Sequence, residues 1–178
     1  MTTTNIRLRS ATPADSSLLW RWKNDSEAVA QSFSMRKVTR KEHKTWFGAR
    51  WDHPNHLFYL AEIKNGQPVG LVRFDHEWDQ AICSLYIDPQ WRGQGLGAAI
   101  NWTGAVCCFE RWDVTAIIAQ VKINNIASRK AFERAGYSHA RTEIYQGFTT
   151  ITLTLYRKNN DGTTNDDCYP NTKASQCP

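Results

Sequence analysis

The residues Arg92-Gly93-Gln94-Gly95-Leu96-Gly97-Ala98 can do recognisable chemistry. They stand between an apolar, strand-like run and a helix-like run. Glycines leave backbone N–H groups uncovered, and a helix start adds partial positive charge. Together they form a cradle for a phosphate or pyrophosphate, to which Arg92 can add charge-assisted hydrogen bonds. Gly93, Gly95 and Ala98 formally satisfy the dinucleotide pattern G-x-G-x-x-A. That reading also wants an acidic residue at the end of the next strand, where this chain has Gln120 and Lys122. Too few domain residues follow Gly93 for a full doubly wound sheet. The alternative ligand for such a cradle is the pyrophosphate of a coenzyme A.

Other candidates are fewer. Asp75 and His76 end an apolar strand-like run and could serve as base or water-holder. The five cysteines show no C-x-x-C spacing, so no metal site is expected. Cys83, Cys107 and Cys108 lie in apolar runs and read as buried reduced thiols. Cys168 and Cys177 could close a loop near the C-terminus, although a reducing cytosol argues against it.

The elements that must position these residues follow from the pattern. The chain has 178 residues, 41% of them hydrophobic, which suits one domain with a real core. Ile6-Arg7-Leu8-Arg9 alternates like a strand. Thr12, Pro13 and Asp15 announce a helix whose apolar stripe is Leu18, Leu19 and Trp22. Thr39 and Glu42 form a capping box for a second helix bearing Trp46 and Phe47. Strands are expected at 57–63, 69–74, 81–87, 114–121 and 149–156. Helices are expected at about 96–111 and 125–135, the second stopped by Gly136. The order is mixed α/β rather than a regular βαβ alternation.

Charge and termini narrow the classes further. The net charge of +5 is mild and suits an anionic small ligand better than nucleic acid. Arg36, Lys37, Arg40, Lys41 and Lys44 read as a solvated face. No apolar run is long enough to span a bilayer, and no secretory signal opens the chain, so the cytoplasm is expected. Residues 159–178 are almost free of apolar side chains. They read as a disordered tail behind a domain at 1–158, whose removal would cost little stability. No nucleic-acid or membrane partner is expected, and a homodimer is left open.

Two longer stretches carry a family resemblance. Ile87-Asp88-Pro89-Gln90-Trp91-Arg92-Gly93-Gln94-Gly95-Leu96-Gly97 is similar to the acetyl-CoA signature of the GNAT superfamily of N-acetyltransferases. Asn125-Ile126-Ala127-Ser128-Arg129-Lys130-Ala131-Phe132-Glu133-Arg134-Ala135-Gly136-Tyr137 resembles the second motif of that superfamily. The opening Leu8-Arg9, Ala11 and Asp15 are similar too. The resemblance covers residues 5–158. It implies a mixed, mostly antiparallel sheet, splayed between two parallel strands and flanked by about four helices. It also implies acetyl-CoA as co-substrate. The backbone of Leu85, Tyr86 and Ile87 would pair with the pantetheine arm. Amides from Gly93 through Gln94, Gly95, Leu96 and Gly97 to Ala98 would hold the pyrophosphate, with Arg92 beside them. Asn125, Ser128 and Phe132 would close the site from the other side.

The resemblance also marks departures. The usual proton-donating tyrosine is replaced by Phe132, and the strand 81–87 carries no acid. A site without a strong base favours amines of low pKa. Neutralising a lysine amine at pH 7 costs ~4.6 kcal/mol, against ~1.4 kcal/mol for an amine of pKa ~8. Leu19-Trp20-Arg21-Trp22-Lys23-Asn24-Asp25 and Glu42-His43 with Trp46-Phe47 resemble the branches that acetylate nucleotide-linked amino sugars or ribosomal-protein N-termini. Trp20, Trp22, Arg21 and Arg73 would then meet the acceptor. The function implied is direct acetyl transfer to a small-molecule amine, best an amino sugar. The alternatives are a protein N-terminus, an aminoglycoside, or a non-catalytic acyl-CoA-binding module.

Overall fold

The structure is a computed structural model that describes residues 6–157 and Cys177. Seven strands form one sheet in the order β1-β2-β3-β4-β5-β7-β6. They are β1 (Arg7–Ser10), β2 (His56–Glu62), β3 (Pro68–Glu77), β4 (Gln80–Ile87), β5 (Ala116–Lys122), β6 (Ser138–Tyr145) and β7 (Phe148–Tyr156). Every neighbouring pair is antiparallel except β4–β5. That parallel pair is short, joining only Gln80–Ile82 to Ala116–Ile118. Beyond it the two strands diverge, while β4 stays paired with β3 and β5 with β7 to their ends.

The helices cover both faces. They are α1 (Ser16–Lys23), α2 (Ser26–Gln31), α3 (Arg40–Gly48), α4 (Leu96–Arg111) and α5 (Ile126–Arg134). Period-2 alternation sorts the strand side chains between two cores. Tyr59, Val72 and Phe74 join Ile100, Cys107, Ile117 and Leu153 in the larger one, around α4. Phe58 and Leu60 join Leu19, Trp22 and Phe47 in the smaller one, around α1 and α3. Helix α4 lies close on β3: a Cβ added at Gly104 would come within 2.6 Å of Val72 Cγ1.

Local signals place the helix starts. Glu42 accepts from the Thr39 backbone N–H at 2.7 Å, and Thr39 Oγ1 accepts from Glu42 N–H at 3.2 Å, closing the expected capping box. Asp15 accepts from the Thr12 backbone N–H at 2.8 Å. It also meets Arg9, whose Nε reaches Glu62 at 2.6 Å, so one arginine ties β1, β2 and the entry to α1. The Arg9 guanidinium holds the Asp15 carboxyl below its ordinary value.

The mixed, mostly antiparallel sheet with its splayed parallel pair agrees with the expected fold class. Two elements differ. Helix α2 was not expected, and it brings the number of α-helices to five among the described residues. It is six residues long and buries no side chain, so it has no apolar stripe to read. Strand β6 also lacked a clear signal. Among the described residues, no helix is long and apolar enough to cross a membrane.

The cysteines require a correction. Cys107 is not a reduced thiol but forms a disulfide with Cys177, 70 residues away. Cys83 and Cys108 are free and buried, as expected. No local pattern signals a pairing at that distance. The rest of the expected tail lies outside the described residues. Cys177 packs against the larger core, so the disulfide ties the C-terminus to α4.

Truncation after Lys158 removes this link. It should therefore cost stability, by about 2–4 kcal/mol under non-reducing conditions, rather than leave it unchanged. Denaturant melts of both forms, with and without reductant, check this. Coincident melts without reductant would show that the link contributes nothing.

Candidate active site

The divergence of β4 from β5 opens a cleft of about 650 Å³. Ser84, Leu85 and Tyr86 line one wall, and Gln120, Val121 and Lys122 line the other. Asn125, Ser128 and Phe132 close it from the α5 side. From Cys83 onward, the β4 backbone groups that would face β5 have no strand partner among the described residues. Such an edge can take an extended ligand as an added strand. Ile87 ends β4 beyond the lining residues.

The glycine turn follows β4 and opens α4. Gly93 and Gly95 have φ of 76° and 79°, which a side chain adopts only under strain. A Cβ at either would meet nothing within 4 Å, so the turn faces open space. Gly95 caps α4 without a side chain, which leaves the first-turn amides with no side-chain acceptor. Gln94 turns back to the Gln90 carbonyl. Leu96 is buried in the larger core and Ala98 is half-buried. Gly97 has a packing role: a Cβ there would lie 3.1 Å from Ala131 Cβ and 3.5 Å from Leu85 Cδ2. Its smallness lets α4, α5 and β4 meet beneath the splay.

Arg92 is placed differently from the expectation. Its guanidinium pairs with Asp25 at 2.7 Å and with Glu27, and its Nε donates to the Ile87 carbonyl at 3.0 Å. It thus ties α2 to the end of β4 instead of standing free beside the turn. Trp22 Nε1 donates to Asp88 at 2.7 Å and reinforces the same junction.

Asn125 caps α5 by accepting from Ser128 N–H at 3.1 Å. Phe132 is buried edge-on to Tyr137, at 5.1 Å between ring centroids. It offers apolar surface and no proton.

The opposite side of the cleft, where the acceptor was expected, is built by α1, α3, β2 and β3. Trp22, Lys23, His43, Trp46, Phe58 and Arg73 line it. Arg73 lies over the Trp46 ring at 5.2 Å and reaches Ser84 Oγ at 3.3 Å. Trp20 and Arg21 do not line the cleft. Trp20 Nε1 instead donates to the Val38 carbonyl, with the Arg40 guanidinium over its ring. Asp75 and His76 also stand away from it. They pair across the sheet with Ile82 and Ala81, where β4 is still joined to β5, whereas Arg73 pairs with Ser84 past the divergence. Asp75 binds His56 at 2.7 Å and Arg73 at 3.0 Å, and His76 packs edge-on to Trp112.

Burial sets the protonation of several groups. It pushes the Cys83 thiol, which lines the cleft, far up, so no thiolate is ready for an acyl relay. It pushes the Tyr86 phenol up to about 12 and keeps it protonated. It pushes the His43 imidazole below its ordinary value, so that ring is neutral at pH 7.

Residues 5–138 match the family model described as an acetyltransferase (GNAT) domain. The chain belongs to the GNAT acetyltransferases. A relative in Methanocaldococcus jannaschii, an uncharacterised N-acetyltransferase, is 31% identical over 88 residues. That match spans 49% of this chain and 56% of the relative. Among solved structures, an aminoglycoside acetyltransferase in complex with coenzyme A aligns with a TM-score of 0.74 at 19% identity. It covers 86% of this chain and 95% of that one. A spermidine N-acetyltransferase from Vibrio cholerae, in complex with coenzyme A and spermine, aligns with a TM-score of 0.77 at 13% identity. It covers 85% of this chain and 95% of that one. At these identities the likeness concerns the GNAT fold.

Several cleft residues of this GNAT domain escaped the sequence reading. Lys23, Arg36 and Glu42 line the cleft, although the basic run around Arg36 reads as a solvated face. The available signal was Lys23 following Trp22 at the end of an amphipathic helix. Ser84 was legible as a polar break in the apolar run of β4.

A Gly95→Val variant should bind acetyl-CoA at least about a hundredfold more weakly, because a β-branched residue resists this φ and projects into the turn's open face. Calorimetry on a variant with a wild-type melt checks this. Unchanged affinity would remove the turn from the binding site.

Proposed function

We propose that this protein transfers the acetyl group of acetyl-CoA to the primary amine of a small molecule, best an amino sugar carried on a nucleotide. The observation that carries this reading is the unpaired edge of β4, leading to the uncapped glycine turn inside a GNAT domain. In this reading the Leu85-Tyr86-Ile87 backbone receives the pantetheine arm. The amides of residues 93–98 hold the pyrophosphate. Asn125, Ser128 and Phe132 flank the arm from α5. The catalytic unit is taken as 1–158, in the cytoplasm.

The acetyl group passes directly from sulfur to nitrogen. The amine nitrogen attacks the thioester carbonyl, the carbon–sulfur bond breaks, and coenzyme A leaves as a thiolate. The buried, protonated Cys83 supports this over a relay through an acyl-cysteine. As the amide forms the nitrogen gives up one proton to water, and the thiolate, with pKa about 8.5, takes one from water, so the absence of a donor at Phe132 is tolerable. The amine must arrive neutral. Glu42, the carboxylate that lines the cleft, is paired with Arg36, and Asp75, shared between His56 and Arg73, stands outside it. The aromatic faces of Trp46 and Phe58 suit a sugar ring. The ligands named for the solved neighbours, ribostamycin and spermine, are also small-molecule amines.

If no strong base operates, the rate follows the acceptor's own ionisation. The pH profile of thiol release should then shift with acceptor pKa across a series of amines. Asp75→Asn and His76→Ala should each cost less than about a hundredfold in turnover. A profile fixed at one pH for every amine, with turnover collapsing in His76→Ala, would make His76 the base.

A further inference from the structure

The ionisable side chains lining the cleft are unbalanced. Among the described residues, Lys23, Arg36, Arg73 and Lys122 face it with a single carboxylate, Glu42. Most of these charges are already engaged. Glu42 binds Arg36 at 3.0 Å, and Asp75 binds Arg73 at 3.0 Å from behind. Lys122 Nζ donates to the Ala30 carbonyl at 3.0 Å and sits over the Phe148 ring.

Lys23 is different. Its ammonium has no hydrogen-bond or ion-pair partner among the described residues, and the side chain is half-buried at the cleft wall. Loss of water and the like charges of Arg73 and Arg36 all disfavour that ammonium. Its place in the last turn of α1 favours a cation and helps to hold it there. A partly desolvated ammonium without a counter-charge is costly in the empty protein. It becomes favourable when a ligand supplies the anion.

We propose that Lys23, flanked by Arg36 and Arg73, is a specificity residue that binds an anionic group on the acceptor, so that the acceptor is an amine bearing a phosphate or diphosphate. This rests on the acetyl-transfer reading above and narrows it. Polyamines and other polycationic acceptors are disfavoured, since they would bring more positive charge beside the unpaired Lys23 ammonium.

The test uses the full chain and its Lys23→Gln variant. Thiol release is measured with an amino sugar, the same sugar carrying a phosphate, and the same sugar linked to uridine diphosphate. The phosphorylated acceptors should be preferred by about tenfold or more in kcat/KM, and Lys23→Gln should erase that preference through KM. The KM for acetyl-CoA should not change. The melting temperature of Lys23→Gln should equal or exceed that of wild type, which separates loss of binding from misfolding.

A second measurement needs no turnover. Inorganic pyrophosphate is titrated into the protein saturated with coenzyme A, so that the glycine turn is occupied. Wild type should bind it and Lys23→Gln should bind it at least about tenfold more weakly. Equal binding by both, or none by wild type, overturns the proposal. So does turnover of amino sugars with no charge preference. If no amino sugar releases thiol while another amine class does, the amino-sugar reading fails. The pyrophosphate titration then still decides the anion site.

Discussion

The site depends on a parallel strand pairing that stops after three residues. Gln80–Ile82 and Ala116–Ile118 hold β4 to β5, and beyond them each strand keeps only its outer neighbour. The closed end is pinned by Thr115, whose backbone N–H donates to the Asp79 carbonyl at 2.7 Å. The open end is propped by α4 and α5, which meet β4 at Gly97. Backbone polar groups inside a fold are normally paired. The free edge of β4 is therefore a row of donors and acceptors that an extended polar ligand can satisfy. Splitting the sheet creates the cleft and its chemistry in one step.

The same divergence explains why some residues were legible in the sequence and others were not. The glycine turn, its helix and the capping boxes are local, and local spacing specifies them. Asp75 and His76 looked eligible because they end a strand. Only the cross-strand register shows that they pair with Ala81 and Ile82, on the closed side of the split. Arg73, two residues earlier on the same face, falls on the open side. Arg92 reads from sequence as a free phosphate ligand, yet Asp25 and Glu27 claim it from across the chain. The Cys107–Cys177 link is equally non-local. Helix α2 has no buried stripe, so periodicity could not announce it.

Those distant contacts join the two halves of the site. Arg92 fastens α2 to the carbonyl at the end of β4, and Asp88 accepts from the indole of Trp22 in α1. The Tyr86 ring lies between them, 5.3 Å from Trp22 and 5.4 Å from the Arg92 guanidinium. The wall that carries Lys23 and Trp22 is thereby fixed to the strand that would hold the thioester arm. An acceptor seated on α1, as proposed, would be positioned relative to β4 by side-chain contacts that do not involve the ligand itself. Such fixed geometry is what lets an enzyme gain rate from orientation.

In the proposed reaction, the charges of the cleft would also act on the acceptor amine. An ammonium brought beside Lys23, Arg36 and Arg73 is repelled, and like charges nearby lower the pKa of a cationic group. On the proposal above, the cleft would therefore help an acceptor amine to lose its proton, which is the work a carboxylate base would otherwise do. That same field would expel a simple cationic amine before it reacted. An anionic group elsewhere on the acceptor resolves the conflict: it is attracted by the cations that destabilise the ammonium. On the proposal above, selectivity for an anionic acceptor and activation of its amine would be two consequences of one cationic wall in which Lys23 has no counter-charge among the described residues.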